Sequence, residues 1–312
     1  MIQRTRRSPS SLIASTLLFA LLAFLFPLMG IMPAAATTPH AAVLLYGDSI
    51  AYQDGPSLTQ ALATNGVDVH AETFPGTALC DWINRVPTDL ATYRPKVLVL
   101  QFVAYADSGC LAANGKGGSQ GWVQLTHAVY AAVIKEALAN GVSLVEIVPA
   151  PPRSFVSHHD PSMRTEHLFH QVFSSLVKSL HDPHVIVDEA GLAVASPKGG
   201  WTRTLPCLPV ERSTPGHCTG PTRHGVRTNV VRSPTDSFHF CVVNFTFIPL
   251  TPPGCPTLIN GHWVQRYSSG AFRMAQAIAT PIRIHLGIRP SNPDRVPYAV
   301  ISTGTAWRHA SR

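Results

Sequence analysis

Apolar residues in this chain fall into short unbroken runs separated by longer amphipathic or polar stretches. The runs lie near residues 43–50 (Val43-Leu44-Leu45-Tyr46 leading into Gly47-Asp48-Ser49-Ile50), 67–72, 96–102, 142–148 and 184–187. Runs of this length, rich in valine, isoleucine and leucine, suit strands buried on both faces of a parallel sheet. Between them the spacing predicts helices over about 56–65, 120–140 and 163–180. Gly141 stands as a C-terminal stop for the second, and Pro149-Ala150-Pro151-Pro152 forms a loop after the fourth strand. Regular alternation of strand and helix predicts a single three-layer α/β/α domain over residues 37–286, with about five parallel strands.

Two regions break the rhythm. Residues 195–260 are rich in Pro, Gly, Thr and Arg, show no sustained period and hold four of the six cysteines. They read as a long disulfide-stapled loop inserted into the domain, not as a second domain. Residues 262–280 return to helix. The polar, proline-containing tail, 287–312, is expected to be disordered.

The N-terminus carries Arg4, Arg6 and Arg7, then an apolar stretch from about Leu12 to Met32, then Ala34-Ala35-Ala36. That order matches a signal peptide over residues 1–36, and an uncleaved membrane anchor is the competing reading. In an exported chain an even cysteine count implies disulfides. Proximity in sequence makes Cys80–Cys110, Cys207–Cys218 and Cys241–Cys255 the simplest set. A zinc site lacks any C-x-x-C or paired Cys/His spacing.

At 312 residues, with 45% hydrophobic and 13% charged residues, the chain has ample material for one core. The net charge of +7 is concentrated at the ends. Three units come from the N-terminal arginines and a net three from the tail (Arg289, Arg295, Arg308 and Arg312 against Asp294), which leaves about +1 for the body. No basic stripe interleaved with aromatics is present, which argues against nucleic acid as a partner.

The candidate chemistry begins at Ser49, at the carboxyl end of the first strand, where α/β folds place reacting groups. It is completed 190 residues later by Asp236-Ser237-Phe238-His239. Asp and His three apart can set a carboxylate behind an imidazole that serves the serine as base. No G-x-S-x-G elbow and no phosphate-binding glycine loop occurs. The fifteen histidines make isolated ones uninformative. Glu166-His167-Leu168-Phe169-His170 reads as a solvated helix face, His158-His159 as an exposed loop, and no metal site is expected.

These blocks resemble the SGNH/GDSL hydrolase family, especially its secreted actinobacterial members, over residues 41–282. The resemblance rests on Tyr46-Gly47-Asp48-Ser49, on Phe74-Pro75-Gly76-Thr77 and on Asp236-Ser237-Phe238-His239 followed by Phe240-Cys241. Arg266-Tyr267-Ser268-Ser269-Gly270-Ala271 is also similar to the helix that follows in such proteins. It implies a flavodoxin-like fold and ester hydrolysis, with Ser49 as nucleophile, His239 as base and Asp236 orienting the imidazole. The backbone N–H groups of Ser49 and Gly76 would form the oxyanion hole. Where the family carries an oxyanion Asn, this chain has Tyr105. Its hydroxyl or a folded-back Asn114 would be the third donor. Asp81 and Trp82, a carboxylate beside an aromatic ring, are candidate sugar contacts, with packing under the Cys80 bridge as the alternative for Trp82.

The expectation is an exported, monomeric serine esterase acting on a small-molecule or glycan ester, with acetyl as the acyl group. It needs no metal or organic cofactor and meets a membrane only through its N-terminal segment. An O-acyltransferase using a sugar hydroxyl as acceptor, or a catalytically weak glycan-binding protein of the same fold, are the alternatives.

Overall fold

In the computed structural model, residues 42–102, 108–114, 119–153, 161–218, 220–233, 239–241, 258–259, 262–263, 267–288, 300–302 and 306–307 are described. The chain divides into two compact units, Met1–Thr38 and Pro39–Arg312, and every described residue belongs to the second. The predicted signal segment lies outside the described residues. Among the described residues, no helix is long and apolar enough to cross a membrane.

Five strands of the main sheet are parallel: β1 (Val43–Gly47), β2 (Val69–Thr73), β3 (Val97–Gln101), β4 (Leu144–Val148) and β5 (Val185–Asp188). They lie in the order β2-β1-β3-β4-β5, the doubly wound order of flavodoxin-like folds. The four central runs, β1, β3, β4 and β5, are buried along their whole length, which is why they read as unbroken apolar segments. Successive side chains alternate between two cores. Val43 and Leu45 join Ile50, Leu58 and Leu62 of α1 (Ser49–Ala63) and Met274, Ile278 and Ile282 of α8 (Ser269–His285). Leu44 and Tyr46 join Val133 and Ile134 of α5 (Ser119–Ala139) and Phe173 and Leu176 of α6 (Pro161–Leu180). Three shorter helices, α2 (Leu79–Trp82), α3 (Val86–Tyr93) and α4 (Gly109–Asn114), flank β3 in sequence.

The structure departs from the sequence expectations in five places. Helix α1 begins at Ser49, not near residue 56, because Asp48 caps it: its carboxylate accepts from the Ile50 N–H at 3.0 Å. Pro56 therefore sits inside the helix and removes one ladder bond. The insertion is more than a loop: β6 (Thr204–Pro206), β7 (Thr222–Arg223) and β8 (Val226–Val230) form an antiparallel sheet of their own, with α7 (Pro209–Ser213) between β6 and β7. Short strands such as these are fixed by backbone pairing and a disulfide, and so leave little hydrophobic periodicity. The expected helix over 262–280 starts only at Ser269, behind β9 (Leu258–Ile259) and β10 (His262–Trp263). Within the tail expected to be disordered, β11 (Val300–Ser302) pairs antiparallel with β5, and β12 (Ala306–Trp307) pairs with β11. His170 is half-buried against Glu189 and the Ala150 carbonyl instead of lying on a solvated face.

Cys80–Cys110 and Cys207–Cys218 are disulfide-bonded as the sequence predicts. Cys241 is also disulfide-bonded, and Cys255 lies outside the described residues.

Candidate active site

The turn from β1 into α1 is set by close approach. A methyl group on Gly47 would lie 2.0 Å from the Ala51 Cβ and 2.7 Å from the Gln101 carbonyl oxygen, so only glycine lets the strand end, the helix and β3 meet. The Asp48 N–H donates to that same carbonyl, and the first helical bond runs from Tyr52 N–H to Asp48 C=O. Ser49 is thus the first residue of the helix. Its N–H has no intrahelical acceptor and stands at the positive end of the helix dipole. The position falls between β1 and β3, where the strand order reverses and where such sheets bind ligands.

His239 arrives from the far end of the sequence. Its Nε2 lies 3.0 Å from the Ser49 Oγ, within reach for proton transfer. Residues 239–241 run antiparallel to 231–233, with an Arg232–Phe240 bridge. The Ser233 N–H donates to the His239 carbonyl at 2.8 Å and the Cys241 N–H to the Val231 carbonyl at 3.3 Å. The Phe240 N–H donates instead to Gln53 Oε1 at 2.9 Å. Helix α8 packs against this ladder at Gly270, where a methyl group would come within 2.2 Å of the Val231 carbonyl oxygen.

Gly76 occupies the left-handed region, φ +80°, which favours glycine. Its loop is tied to the nucleophile's strand by the Phe74 N–H, which donates to the Gly47 carbonyl at 3.1 Å, and is closed by Thr77 Oγ1 donating to the Phe74 carbonyl. Phe74 itself is 61% exposed. Both oxygens of Asp81 are committed to backbone donors, Ala78 N–H and Cys110 N–H. Trp82 donates to Thr77 Oγ1 and packs on the Tyr46 ring. The structure therefore places Asp81 and Trp82 in the support of the Gly76 loop. Asp236 and Tyr105 lie outside the described residues, as does the side chain of Asn114.

Two buried polar groups lie within electrostatic reach of Asp48. Asp54 is fully buried on α1 and accepts from Gln101 Nε2 at 2.7 Å. Burial pushes its carboxyl well above the usual range, the Gln101 bond opposes this, and the nearby Asp48 charge adds to it. Among the described residues the buried Tyr130 hydroxyl has no hydrogen-bond partner. Burial and the Asp48 charge push it well up. It lines a small cavity with Ala78, Leu79, Phe102, Leu111 and Val129. Among the described residues no group of three or more His, Cys, Asp or Glu side chains is arranged to hold a metal ion.

Sequence reasoning missed Gln53 and Gln101. The first becomes legible once α1 starts at Ser49, since Gln53 is then its i+4 neighbour on one helix face. The second closes a buried strand with a polar residue, which itself marks a group with a partner to meet.

No protein-family model and no curated protein matches this chain. Among solved structures it is similar to a putative platelet activating factor from Streptococcus pneumoniae, at 11% identity and TM-score 0.47, covering 88% of this chain and 100% of that one. It is similar to the catalytic domain of the peptidoglycan O-acetyltransferase A of the same organism, at 13% identity and TM-score 0.39, over 80% and 96%. It is also similar to an acetyl-xylooligosaccharide esterase from Geobacillus, at 11% and TM-score 0.38, over 50% and 80%. At these values the functional reading rests on the site's own residues.

Proposed function

We propose that this protein is an exported serine esterase of the SGNH/GDSL type that removes small acyl groups, acetyl foremost, from a carbohydrate or other ester. The observation that carries the proposal is the 3.0 Å contact between Ser49 Oγ and His239 Nε2, made across 190 residues of sequence at the sheet's topological switch point. In the reaction, Ser49 Oγ attacks the ester carbonyl carbon while His239 Nε2 takes the hydroxyl proton. The oxyanion accepts hydrogen bonds from the Ser49 and Gly76 N–H groups. Collapse breaks the bond to the alcohol, which leaves with the proton from His239. Water then attacks the acyl-serine and gives a proton to His239, and collapse releases the carboxylic acid as His239 returns that proton to Ser49 Oγ. Asp236 is assigned to the second ring nitrogen of His239. The N-terminal segment together with the disulfides supports export.

The test uses a fluorophosphonate probe and a small aryl acetate on the purified mature chain. Both labelling and hydrolysis are expected, and Ser49→Ala should abolish labelling and lower turnover on the order of 10⁴-fold or more. Undiminished labelling of Ser49→Ala would place the nucleophile elsewhere. Adding a sugar acceptor separates hydrolysis from transfer, since transfer yields acylated sugar in place of free acid.

A further inference from the structure

Ser49 and Gln53 are four residues apart on α1 and therefore share one face of the helix. Each touches a consecutive residue of the late segment: Ser49 Oγ meets His239 Nε2, and Gln53 Oε1 meets the Phe240 N–H. That segment pairs on its other edge with 231–233, through the Ser233 N–H and the Cys241 N–H. In an antiparallel ladder, the backbone groups of the residue between those two bonds point away from the partner strand. The Phe240 N–H thus faces the helix as a buried donor, and leaving such a donor without an acceptor is unfavourable. Only the oxygen of the Gln53 amide can accept from it, which fixes the orientation of that side chain. Gln53 is itself buried, so water competes little for the bond.

We propose that Gln53 is a positioning residue that sets His239 against Ser49 by holding the backbone of the adjacent Phe240 from the nucleophile's own helix. The proposal rests on the esterase reading for its catalytic consequence, but its geometric content stands apart from it. With the clamp in place, nucleophile and base are referenced to one rigid element, and a drift of the late segment relative to the sheet is opposed at the residue next to the base. A misplacement of about 1 Å can cost on the order of 100-fold in rate.

Gln53→Met, similar in volume but without an acceptor, should lower kcat about 10- to 100-fold with KM little changed. Gln53→Glu keeps an oxygen for the Phe240 N–H and should recover most of the loss. In crystal structures the Ser49 Oγ to His239 Nε2 separation should exceed hydrogen-bond reach in the Met variant and return in the Glu variant. Amide exchange in the wild type gives a measurement that needs no variant to fold: the Phe240 N–H should be protected. A Met variant that retains both the short contact and the wild-type kcat would overturn the proposal, as would a freely exchanging Phe240 amide. If the wild type neither labels nor hydrolyses, the esterase reading fails, and the separation and exchange measurements still decide the role of Gln53.

Discussion

Ser49 and His239 meet at one point but are held there by two different kinds of structure. Ser49 is placed chiefly by neighbours in sequence, the glycine at 47, the Asp48 cap and the first turn of α1, with the register against β3 as support. His239 is placed by antiparallel pairing with Ser233 and Val231 and by groups far away in sequence, Gln53 and the face of α8 at Gly270. The first arrangement repeats wherever a parallel strand turns into a capped helix. The second depends on an insertion folding and docking correctly. A fold can therefore carry a nucleophile largely through local rules, whereas its base depends more heavily on tertiary structure.

The largest effect is expected on the long-range side. Glu211 in the insertion is fully buried and accepts from the Leu208 N–H, the Tyr267 and Ser269 hydroxyls and Arg273 Nη2 of α8. It joins the insertion to the helix that backs the His239 ladder. Glu211→Ala leaves the buried Arg273 guanidinium without its counter-charge, which typically costs about 3–5 kcal/mol. Denaturant unfolding should show a loss of that size together with weaker probe labelling of Ser49. A loss under about 1 kcal/mol would mean that the insertion is held mainly by other contacts.

The matching change on the local side is Gly47→Ala. The added methyl collides with Ala51 and with the Gln101 backbone, and neither atom is the free end of a flexible chain. Overpacking of this kind typically costs about 1–3 kcal/mol. The damage falls on the turn that aims Ser49, so labelling should slow more than stability alone accounts for. A variant that labels at the wild-type rate would show that the turn tolerates the shift.

The same asymmetry explains what could be seen in the sequence. The four buried strands, α5 and α6 were legible because burial on both faces leaves unbroken apolar runs and burial on one leaves a helical stripe. The Cys80–Cys110 and Cys207–Cys218 pairings followed from proximity. The start of α1 was misread because Gly55-Pro56 looks like a helix boundary, while the capping carboxylate of Asp48 overrides it. The small sheet of β6, β7 and β8 was invisible because its cohesion comes from backbone bonds and from polar contacts such as Arg227 to the Cys218 carbonyl and Asn229 to the His217 carbonyl. Ser49 and His239 stood out as motifs. Gln53 did not, because its partner is a backbone group 187 residues away and leaves no trace in the side-chain pattern.

A pair of carboxyls outside both arms provides the comparison's control, with the smallest effect expected on the site itself. Glu146 on β4 and Asp188 at the end of β5 are fully buried, and among the described residues their carboxyls interact with each other and with no other donor group. Burial pushes Glu146 well above the usual range, and the negative charge of Asp188 pushes it further. Burial raises Asp188 to about 7, against the opposing effect of its bond from Glu146. Because the folded state holds protons that the unfolded chain releases near pH 4, the pair's contribution to stability is fully present below about pH 4 and is lost as pH rises through about 7. Asp188→Asn stays neutral throughout. Its Tm relative to wild type should therefore climb between about pH 4 and pH 7 and level off above. Probe labelling of Ser49 at neutral pH should match the wild type, since neither arm is touched. A Tm difference that stays flat across that range would show that the pair is not titrating in the folded protein.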